Sequence, residues 1–172
     1  MNTYSNVFFL LLALSACAVD SPDALALEPG QPAPSCPMKT WEGAPLDLSQ
    51  YKGKVVYLDF WASWCAPCAQ SFPFMNEMQS DLGPRGLQII ALNLDEKFED
   101  AQAFLAKHPA GFTLARDPEN ICPKLYEVQG MPSTYLVDPA GKISYVHKGY
   151  RVGDADKIRS RVKALLDSKT PN

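Results

Sequence analysis

Two continuous apolar runs dominate the hydropathy pattern, VVYLDFW from residue 55 and LQIIALNL from residue 87. Apolar runs that are rich in β-branched and aromatic residues are typical of strands covered on both faces. Between the runs, apolar side chains recur at helical spacing before a helix-ending pair: Cys68, Phe72, Met75 and Leu82, then Gly83-Pro84. The pattern predicts a strand, a helix and a second strand, with the two strands paired in parallel.

The second half of the chain has shorter helix and strand patterns. The first is a helix marked by Phe98, Ala101 and Leu105 that ends near His108-Pro109. An apolar segment at 112–115, a brief helix at 120–126 and strands at 134–137 and 142–148 follow. The last is a terminal helix with Ile158, Val162, Leu165 and Leu166 on its apolar face. Asp138-Pro139-Ala140-Gly141 suits a type I turn, which predicts an antiparallel hairpin. The order predicts an α/β fold, a central mixed sheet flanked by helices, with the segment 37–51 covering an edge or one end.

Composition and charge narrow the class of protein. The chain has 172 residues, 47% of them hydrophobic, which is enough for one domain with a real core but short for two. Lys and Arg number 16 against 19 Asp and Glu, a net charge of -3. This balance argues against nucleic acid or an anionic membrane surface as a partner.

The N-terminus resembles an export signal. Val7 to Leu14 is an apolar stretch followed by small residues, which fits a signal peptide, and it is too short for a mature membrane span of roughly 20 residues. Leu14-Ser15-Ala16-Cys17 resembles a bacterial lipobox, in which Cys17 would be lipidated. The alternative is cleavage after Ala18, which would release a soluble protein. Residues 1–16 lack the usual Lys or Arg, and this weakens both interpretations.

The cysteines are Cys17, Cys36, Cys65, Cys68 and Cys122. Either cleavage model consumes Cys17 and leaves four thiols, which can form two pairs in an oxidising compartment. Cys65 with Cys68 is the obvious pair. Cys36 and Cys122 are then either a second disulfide that pins the N-terminal segment to the body, which we favour, or two buried reduced thiols.

Cys65-Ala66-Pro67-Cys68 begins where the central strand ends and the helix starts. The unpaired backbone N–H groups and the positive end of the helix dipole favour a thiolate at Cys65, the predicted nucleophile. Pro67 is tolerated in a first turn, and Cys68 would resolve a mixed disulfide at Cys65. The alternatives are an ordinary structural disulfide and a zinc half-site, but zinc needs four ligands. The chain has no second CxxC and only isolated histidines.

Asp59 is a carboxylate inside the first apolar run. Burial would raise its pKa and make it a plausible acceptor for the Cys68 proton. Strand alternation could instead turn Asp59 towards solvent, and both interpretations stay open. Met131-Pro132 precedes a predicted strand, where an X-Pro bond can be cis or Pro132 can simply begin the strand in trans.

Several motifs together resemble the thioredoxin superfamily. They are Asp59, Trp61, Trp64-Cys65-Ala66-Pro67-Cys68 and Gly130-Met131-Pro132-Ser133-Thr134. Pro32-Ala33-Pro34 and the stretch from Leu46 to Lys54 are similar to the TlpA- and ResA-like branch of exported thiol-disulfide oxidoreductases. The resemblance covers about residues 31–167.

The resemblance implies a thioredoxin-like fold with an N-terminal extension and a cis Pro132 that faces the thiol pair. It implies catalytic roles for Cys65, Cys68, Asp59 and Pro132, and substrate contacts by Trp64, Ala66, Pro67 and Met131. No cofactor and no metal are expected. The implied partners are a membrane thiol-electron transporter as reductant and disulfide-containing exported proteins, with apocytochrome c as one candidate substrate.

The resulting division of the chain is a signal peptide with a lipobox-like end at 1–17, a Pro-rich tether at 18–34 and a thioredoxin-like domain at 35–168. We expect a monomer in the bacterial periplasm, tethered to a membrane as a lipoprotein.

Two positions depart from the branch. Many of its members carry an amide where Asp59 stands and a glutamate where Ser71 stands, so Asp59 here could supply the proton acceptor that glutamate supplies elsewhere. Two other functions compete with disulfide reduction. A peroxidase would want Thr or Ser three residues before its reactive cysteine, and Ala62 stands there. A copper chaperone of this fold would have a CxxxC spacing and a downstream histidine.

Overall fold

The structure is a computed structural model, and it describes residues 27–168. The predicted signal peptide, Cys17 and residues 18–26 of the predicted tether lie outside the described residues. Within the described part, no helix has the length and apolarity that crossing a membrane requires.

In the described part of the chain, seven strands form one mixed sheet in the order β2-β1-β5-β4-β3-β6-β7. The strands are β1 Met38–Thr40, β2 Pro45–Leu46, β3 Val55–Trp61, β4 Leu87–Asn93, β5 Thr113–Arg116, β6 Ser133–Val137 and β7 Ile143–Lys148. β3, β4 and β5 are parallel, and β6 and β7 add to β3 as an antiparallel hairpin. The predicted mixed sheet, parallel pair and hairpin are confirmed.

Within residues 27–168, four α-helices connect or flank these strands. They are α1 Ala66–Leu82, α2 Phe98–Leu105, α3 Cys122–Leu125 and α4 Asp154–Ser168. Short 3-10 helices follow β2 and α1, at Leu48–Tyr51 and Gly83–Arg85. α1 therefore ends at Leu82, directly before the Gly83-Pro84 pair that predicted its end.

The central strand β3 is buried over all seven residues. Because side chains alternate between the two faces of a strand, β3 divides its residues between two cores. Tyr57 and Trp61 pack with Cys68 on one face, whereas Leu58 and Phe60 belong to the other. This double coverage explains why the strand is a continuous apolar run.

The helices are distributed unequally over the sheet. α1, α2 and α4 contribute to the core on the Tyr57 face, through residues such as Phe72, Phe104 and Val162. On the opposite face the only α-helix of the described chain is α3, and the N-terminal segment supplies much of the cover. β1 of that segment pairs antiparallel with β5, so the prediction that residues 37–51 cover an edge is confirmed.

The described end of the predicted 18–34 tether is attached to the domain. The Gly30 N–H donates to Ile143 O at 2.7 Å, and the Ala33 N–H donates to Gly141 O at 2.9 Å. Pro32 forms an isolated bridge with Lys142. The folded body therefore begins at about residue 30, because this stretch satisfies backbone groups along β7 that a coil would leave to water.

Candidate active site

The Cys65–Cys68 pair occupies the N-terminus of α1, directly after the loop that leaves β3. Cys65 is the N-cap residue of the helix, and its Sγ lies 2.02 Å from that of Cys68. The Cys68 N–H donates to Cys65 Sγ at 3.2 Å. Cys65 is 4% exposed and Cys68 is fully buried, so the outer sulfur is Cys65, as the spacing predicts.

This position gives the two thiols different chemistry in the reduced state. A thiolate at Cys65 accepts a backbone N–H at a helix N-terminus, where the helix dipole also favours negative charge. Cys68 has no exposed surface and sits one helical turn inward. The arrangement suits attack by Cys65 on an external disulfide, followed by internal attack by Cys68.

Asp95 holds the loop that carries Trp64 and Cys65. Its carboxylate accepts the Ser63 N–H at 2.9 Å and the Ser63 hydroxyl at 2.8 Å, while Asn93 Nδ2 donates to it at 2.7 Å. Asp95 is not among the functional residues predicted from the sequence. A usable signal was present, because Asp95 follows β4 and the carboxyl ends of neighbouring parallel strands meet at one edge.

Asp59 faces the same core as the thiol pair. It lies between Tyr57 and Trp61 on the same face of β3 and is fully buried. Its Oδ1 accepts the Thr134 hydroxyl at 2.6 Å. Burial raises the pKa of Asp59 to about 7, and the Thr134 hydrogen bond opposes this rise. The alternative that Asp59 turns to solvent is wrong, because helices α1, α2 and α4 cover the face of β3 on which it lies.

Asp59 should make the folded protein less stable as the pH rises, and an Asp59→Asn variant should lack this effect. Between the unfolded pKa of 3.8 and the folded pKa of about 7, the unfolded chain ionises while folded Asp59 keeps its proton, so stability falls as pH rises. Over that window Asp59 removes about 4 kcal/mol of unfolding free energy. We expect Asp59→Asn to abolish this fall, as measured by urea denaturation of the disulfide form at pH 4 and pH 8.

Asp167→Asn is the matched control, because Asp167 is a surface carboxylate that pairs with Arg85 and such pairs contribute little. Its stability should follow the wild-type pH dependence. If Asp59→Asn shows the same fall between pH 4 and pH 8 as the wild type, burial does not raise the pKa of Asp59 in the folded protein.

Pro132 lies beside the end of β3, next to the loop that bears the thiol pair. Ser133 pairs with Phe60, which places Pro132 level with the last residue of β3. The Met131–Pro132 bond is cis, as the resemblance implies. Pro132 is buried and its carbonyl accepts the Gly149 N–H at 2.7 Å, while Met131 is half-buried.

Trp64 stands between two surface grooves and is 71% exposed. The first, called here the α3 groove, has a volume of about 810 Å³, and its lining includes Trp64, Leu94, Pro123, Val128 and Met131. The second, the α2 groove, has a volume of about 400 Å³, and its lining includes Trp64, Cys65, Ala66, Phe104, Lys107 and His108.

The predicted substrate contacts thus occupy different places. Trp64 borders both grooves, Met131 the α3 groove and Ala66 the α2 groove. Pro67 lines neither groove and sits in the first turn of α1. The structure therefore brings Trp64, Cys65, Ala66 and Met131 to one surface, with Pro67 contributing to the helix start behind it.

Cys36 and Cys122 lie with their Sγ atoms 2.13 Å apart, at disulfide distance. Both side chains are buried. Cys122 begins α3, and its N–H donates to Asp117 Oδ2 at 2.6 Å. Because residues between 123 and 131 line much of the α3 groove, the bridge connects that groove wall to the N-terminal segment.

Ser71, which stands where many branch members have glutamate, is buried on α1. Its hydroxyl donates to the Cys68 carbonyl at 3.0 Å, within the helix. Ser71 is thereby occupied with its own helix and offers no carboxylate. Within residues 27–168, no group of three or more His, Cys, Asp or Glu side chains is placed to hold a metal ion.

Comparison with known proteins identifies the family and the fold of this chain. The model of the AhpC/TSA family matches residues 29–146. The thiol-disulfide oxidoreductase ResA of Bacillus thuringiensis subsp. konkukian is 35% identical over 145 residues, which are 84% of this chain and 80% of that protein. ResA of Bacillus subtilis is 31% identical over 124 residues, 72% and 69% of the two chains.

A solved structure is similar over nearly its whole length. The crystal structure of a thiol:disulfide interchange protein DsbE from Chlorobium tepidum has a TM-score of 0.78 and 46% sequence identity. The match covers 81% of this chain and 99% of that one.

Proposed function

This chain belongs to the AhpC/TSA family within the thioredoxin superfamily and is a thiol-disulfide oxidoreductase, and we propose that it reduces disulfides in exported proteins. The observation that carries the proposal is the N-cap position of Cys65, whose sulfur accepts a backbone N–H from Cys68. The reductive direction rests on the resemblance to the TlpA- and ResA-like branch, and the similar ResA protein is named a thiol-disulfide oxidoreductase.

The proposed reaction has two exchange steps. The Cys65 thiolate attacks one sulfur of the partner's disulfide, forms a mixed disulfide and releases the other partner sulfur as a thiolate. Cys68 then gives its proton to Asp59, and its thiolate attacks Cys65 Sγ. The Cys65–Cys68 bond forms, the second partner thiolate leaves, and the partner has gained two electrons.

The partner would bind as an extended segment across the surface that bears Trp64. Trp64 and Met131 would contact that segment on the α3 groove side, and Ala66 on the α2 groove side, while Pro67 would shape the helix start. Pro132 lacks an N–H, so it places no competing donor beside the reacting sulfur atoms and leaves neighbouring backbone groups free for the partner.

The proposed cellular setting follows from the N-terminus and the branch. Cys17 would be lipidated and hold the domain at a membrane facing the bacterial periplasm. A membrane thiol-electron transporter would reduce the Cys65–Cys68 bond after each turnover, and exported disulfide proteins, apocytochrome c among the candidates, would be the substrates.

The two competing functions gain no support over disulfide reduction. Ala62 gives a peroxidase no hydroxyl at the required spacing. His147 does lie opposite Thr134, close in sequence register to Pro132, but its Nε2 is 3.2 Å from Asp154 Oδ2 and its Nδ1 is 3.3 Å from the Tyr145 hydroxyl. Both ring nitrogens of the histidine thus lie next to groups other than the thiol pair.

Insulin reduction and a redox titration test the proposal. We expect catalytic insulin reduction in the presence of dithiothreitol, and a reduction potential closer to thioredoxin, about -270 mV, than to DsbA, about -120 mV. A copper titration of the reduced protein is run in parallel. Tight stoichiometric copper binding without disulfide turnover would contradict the proposal, and a DsbA-like potential would contradict its direction.

A further inference from the structure

A row of side chains crosses the sheet at the level of Asp59. Ala91 on β4 pairs with Asp59, Asp59 pairs with Thr134 on β6, and Thr134 pairs with His147 on β7. Directly paired residues point to the same face of a sheet. The neighbours of the Asp59 carboxyl within its own layer are therefore a methyl group on one side and the Thr134 side chain on the other.

Thr134 has one hydroxyl proton and two neighbouring oxygen atoms. Its Oγ1 is 2.6 Å from Asp59 Oδ1 and 3.3 Å from the Tyr57 hydroxyl oxygen. When Asp59 is ionised, the short distance assigns the Thr134 proton to its carboxylate, since a bond to a charged acceptor is the stronger one. The Tyr57 hydroxyl then donates to Thr134 Oγ1, and the chain of donors runs from Tyr57 through Thr134 to Asp59.

The two oxygens of Asp59 are consequently unequal. Oδ1 accepts the Thr134 hydroxyl, whereas Oδ2 is buried and has no hydrogen-bond partner among the described residues. An oxygen that already accepts a strong hydrogen bond is the weaker base of the two. Oδ2 is therefore the atom of Asp59 that is available to a proton.

We propose that Thr134 is a positioning residue for disulfide exchange: its hydroxyl holds Oδ1 of Asp59 and thereby directs the Cys68 proton to Oδ2. The inference rests on the proposed role of Asp59 in the resolving step. Thr134 touches neither the partner nor the reacting sulfur atoms, and it acts only through the carboxylate. Tyr57 supports it by supplying the donor that keeps the Thr134 proton on Asp59.

The proton transfer and the exchange conserve atoms and electrons. The Cys68 S–H bond breaks, its proton forms an O–H bond at Asp59 Oδ2, and the electron pair stays on sulfur. That sulfur attacks Cys65 Sγ of the mixed disulfide, and the partner's sulfur leaves with the electron pair of the broken S–S bond. Thr134 donates to Oδ1 throughout, and it stabilises the ionised carboxylate that begins the step.

Other titratable groups near this row come from several elements. Tyr57 stands on β3 itself, His147 on β7, Cys65 and Cys68 on α1, and Tyr150 follows β7. Tyr57 and Tyr150 stay neutral at neutral pH because burial raises the pKa of both hydroxyls. α4 adds apolar side chains to this core, and β4 adds the methyl group of Ala91. His147 lies beyond Thr134 and pairs with Asp154.

The test compares Thr134→Val, which keeps the shape and loses the hydroxyl, with Thr134→Ser, which keeps the hydroxyl. The Asp59 carboxyl is titrated by infrared spectroscopy in the disulfide form, with Asp59→Asn identifying its band. We expect Thr134→Val to raise the titration midpoint by about one pH unit, because the ionised form loses a donor. Thr134→Ser should restore the wild-type midpoint, and Tyr57→Phe should shift it in the same direction by less.

A second readout follows the resolving step. The mixed disulfide of Cys65 with a cysteine-containing peptide is prepared at about pH 4 and released by a pH jump. At pH 7 we expect peptide release about fivefold slower in Thr134→Val, with the pH profile displaced upwards, and a wild-type rate in Thr134→Ser. Thermal unfolding of each variant shows whether the fold is retained.

The outcomes separate this inference from the function on which it rests. An unchanged or lowered Asp59 midpoint in Thr134→Val overturns the role of Thr134, whatever happens to the release rate. A raised midpoint with an unchanged release profile overturns the role of Thr134 in the step. If the wild-type protein itself reduces no disulfide, the proposed function fails, and the wild-type insulin assay reports this independently.

Discussion

Cys65→Ser should abolish disulfide reduction, and Cys68→Ser should instead accumulate mixed disulfides. Serine cannot attack a disulfide sulfur under these conditions, because the nucleophile of exchange is a thiolate. Cys68→Ser keeps the nucleophile at the helix N-terminus but removes the buried thiol that ends the reaction. Insulin turbidity measures the first effect, and mass spectrometry under non-reducing conditions measures the second.

A Cys36→Ala/Cys122→Ala variant is the control for this pair, since it removes two cysteines and keeps Cys65 and Cys68. It should retain turnover in the folded state. A Cys68→Ser protein that traps no partner and keeps full activity would contradict the assigned roles. Performed in a bacterial envelope extract with identification of the trapped proteins, the Cys68→Ser experiment also names substrate and reductant.

Loss of the Cys36–Cys122 bridge should lower the unfolding free energy by about 4.5 kcal/mol. The bridge closes a loop with a sequence separation of 86, and the chain-entropy estimate for a loop of that length is about 4.5 kcal/mol. The experiment uses the double alanine variant in a Cys65→Ala/Cys68→Ala background, so that no other disulfide changes. Urea denaturation gives the difference, and alanine avoids burying unpaired hydroxyls.

The same background allows a reductant control. Dithiothreitol should destabilise the parent with Cys36 and Cys122 present and leave the double alanine variant unchanged. Alkylation before and after reduction, read by mass spectrometry, checks the pairing directly. Labelling of Cys36 and Cys122 without prior reduction, or a stability difference below about 1 kcal/mol, would show that the bridge does not hold the N-terminal segment in place.

Most of the sheet could be predicted because its central strands are continuous apolar runs in the sequence. β3 and β4 appear as apolar runs since both faces are covered, and α1 shows helical spacing that ends at Gly83-Pro84. Segments without a clear apolar pattern were predicted less exactly. Residues 30–33 look like tether because proline and small residues carry no strand pattern, and their hydrogen bonds depend on an edge of β7 that only the folded sheet provides.

In the site, too, local features could be predicted and contacts between distant residues could not. The CxxC pair could be placed from the sequence, because the end of a strand and the start of a helix are local features. The contacts of Asp95 and Thr134 could not be predicted, since each binds a residue far away in the chain. Asp95 binds Ser63 at a separation of 32, and Thr134 binds Asp59 at a separation of 75.

The sequence by itself determined the reaction class, since Cys65 and Cys68 are three residues apart and the strand-to-helix boundary that positions them is encoded locally. Only the tertiary structure decided the surroundings of that pair. Which face Asp59 occupies and which of its oxygens is free both depend on the register of β3 against β6. A shift of one residue in that register would turn Thr134 to the opposite face. Contacts of this kind are set by the packing of the whole sheet, so no local pattern records them.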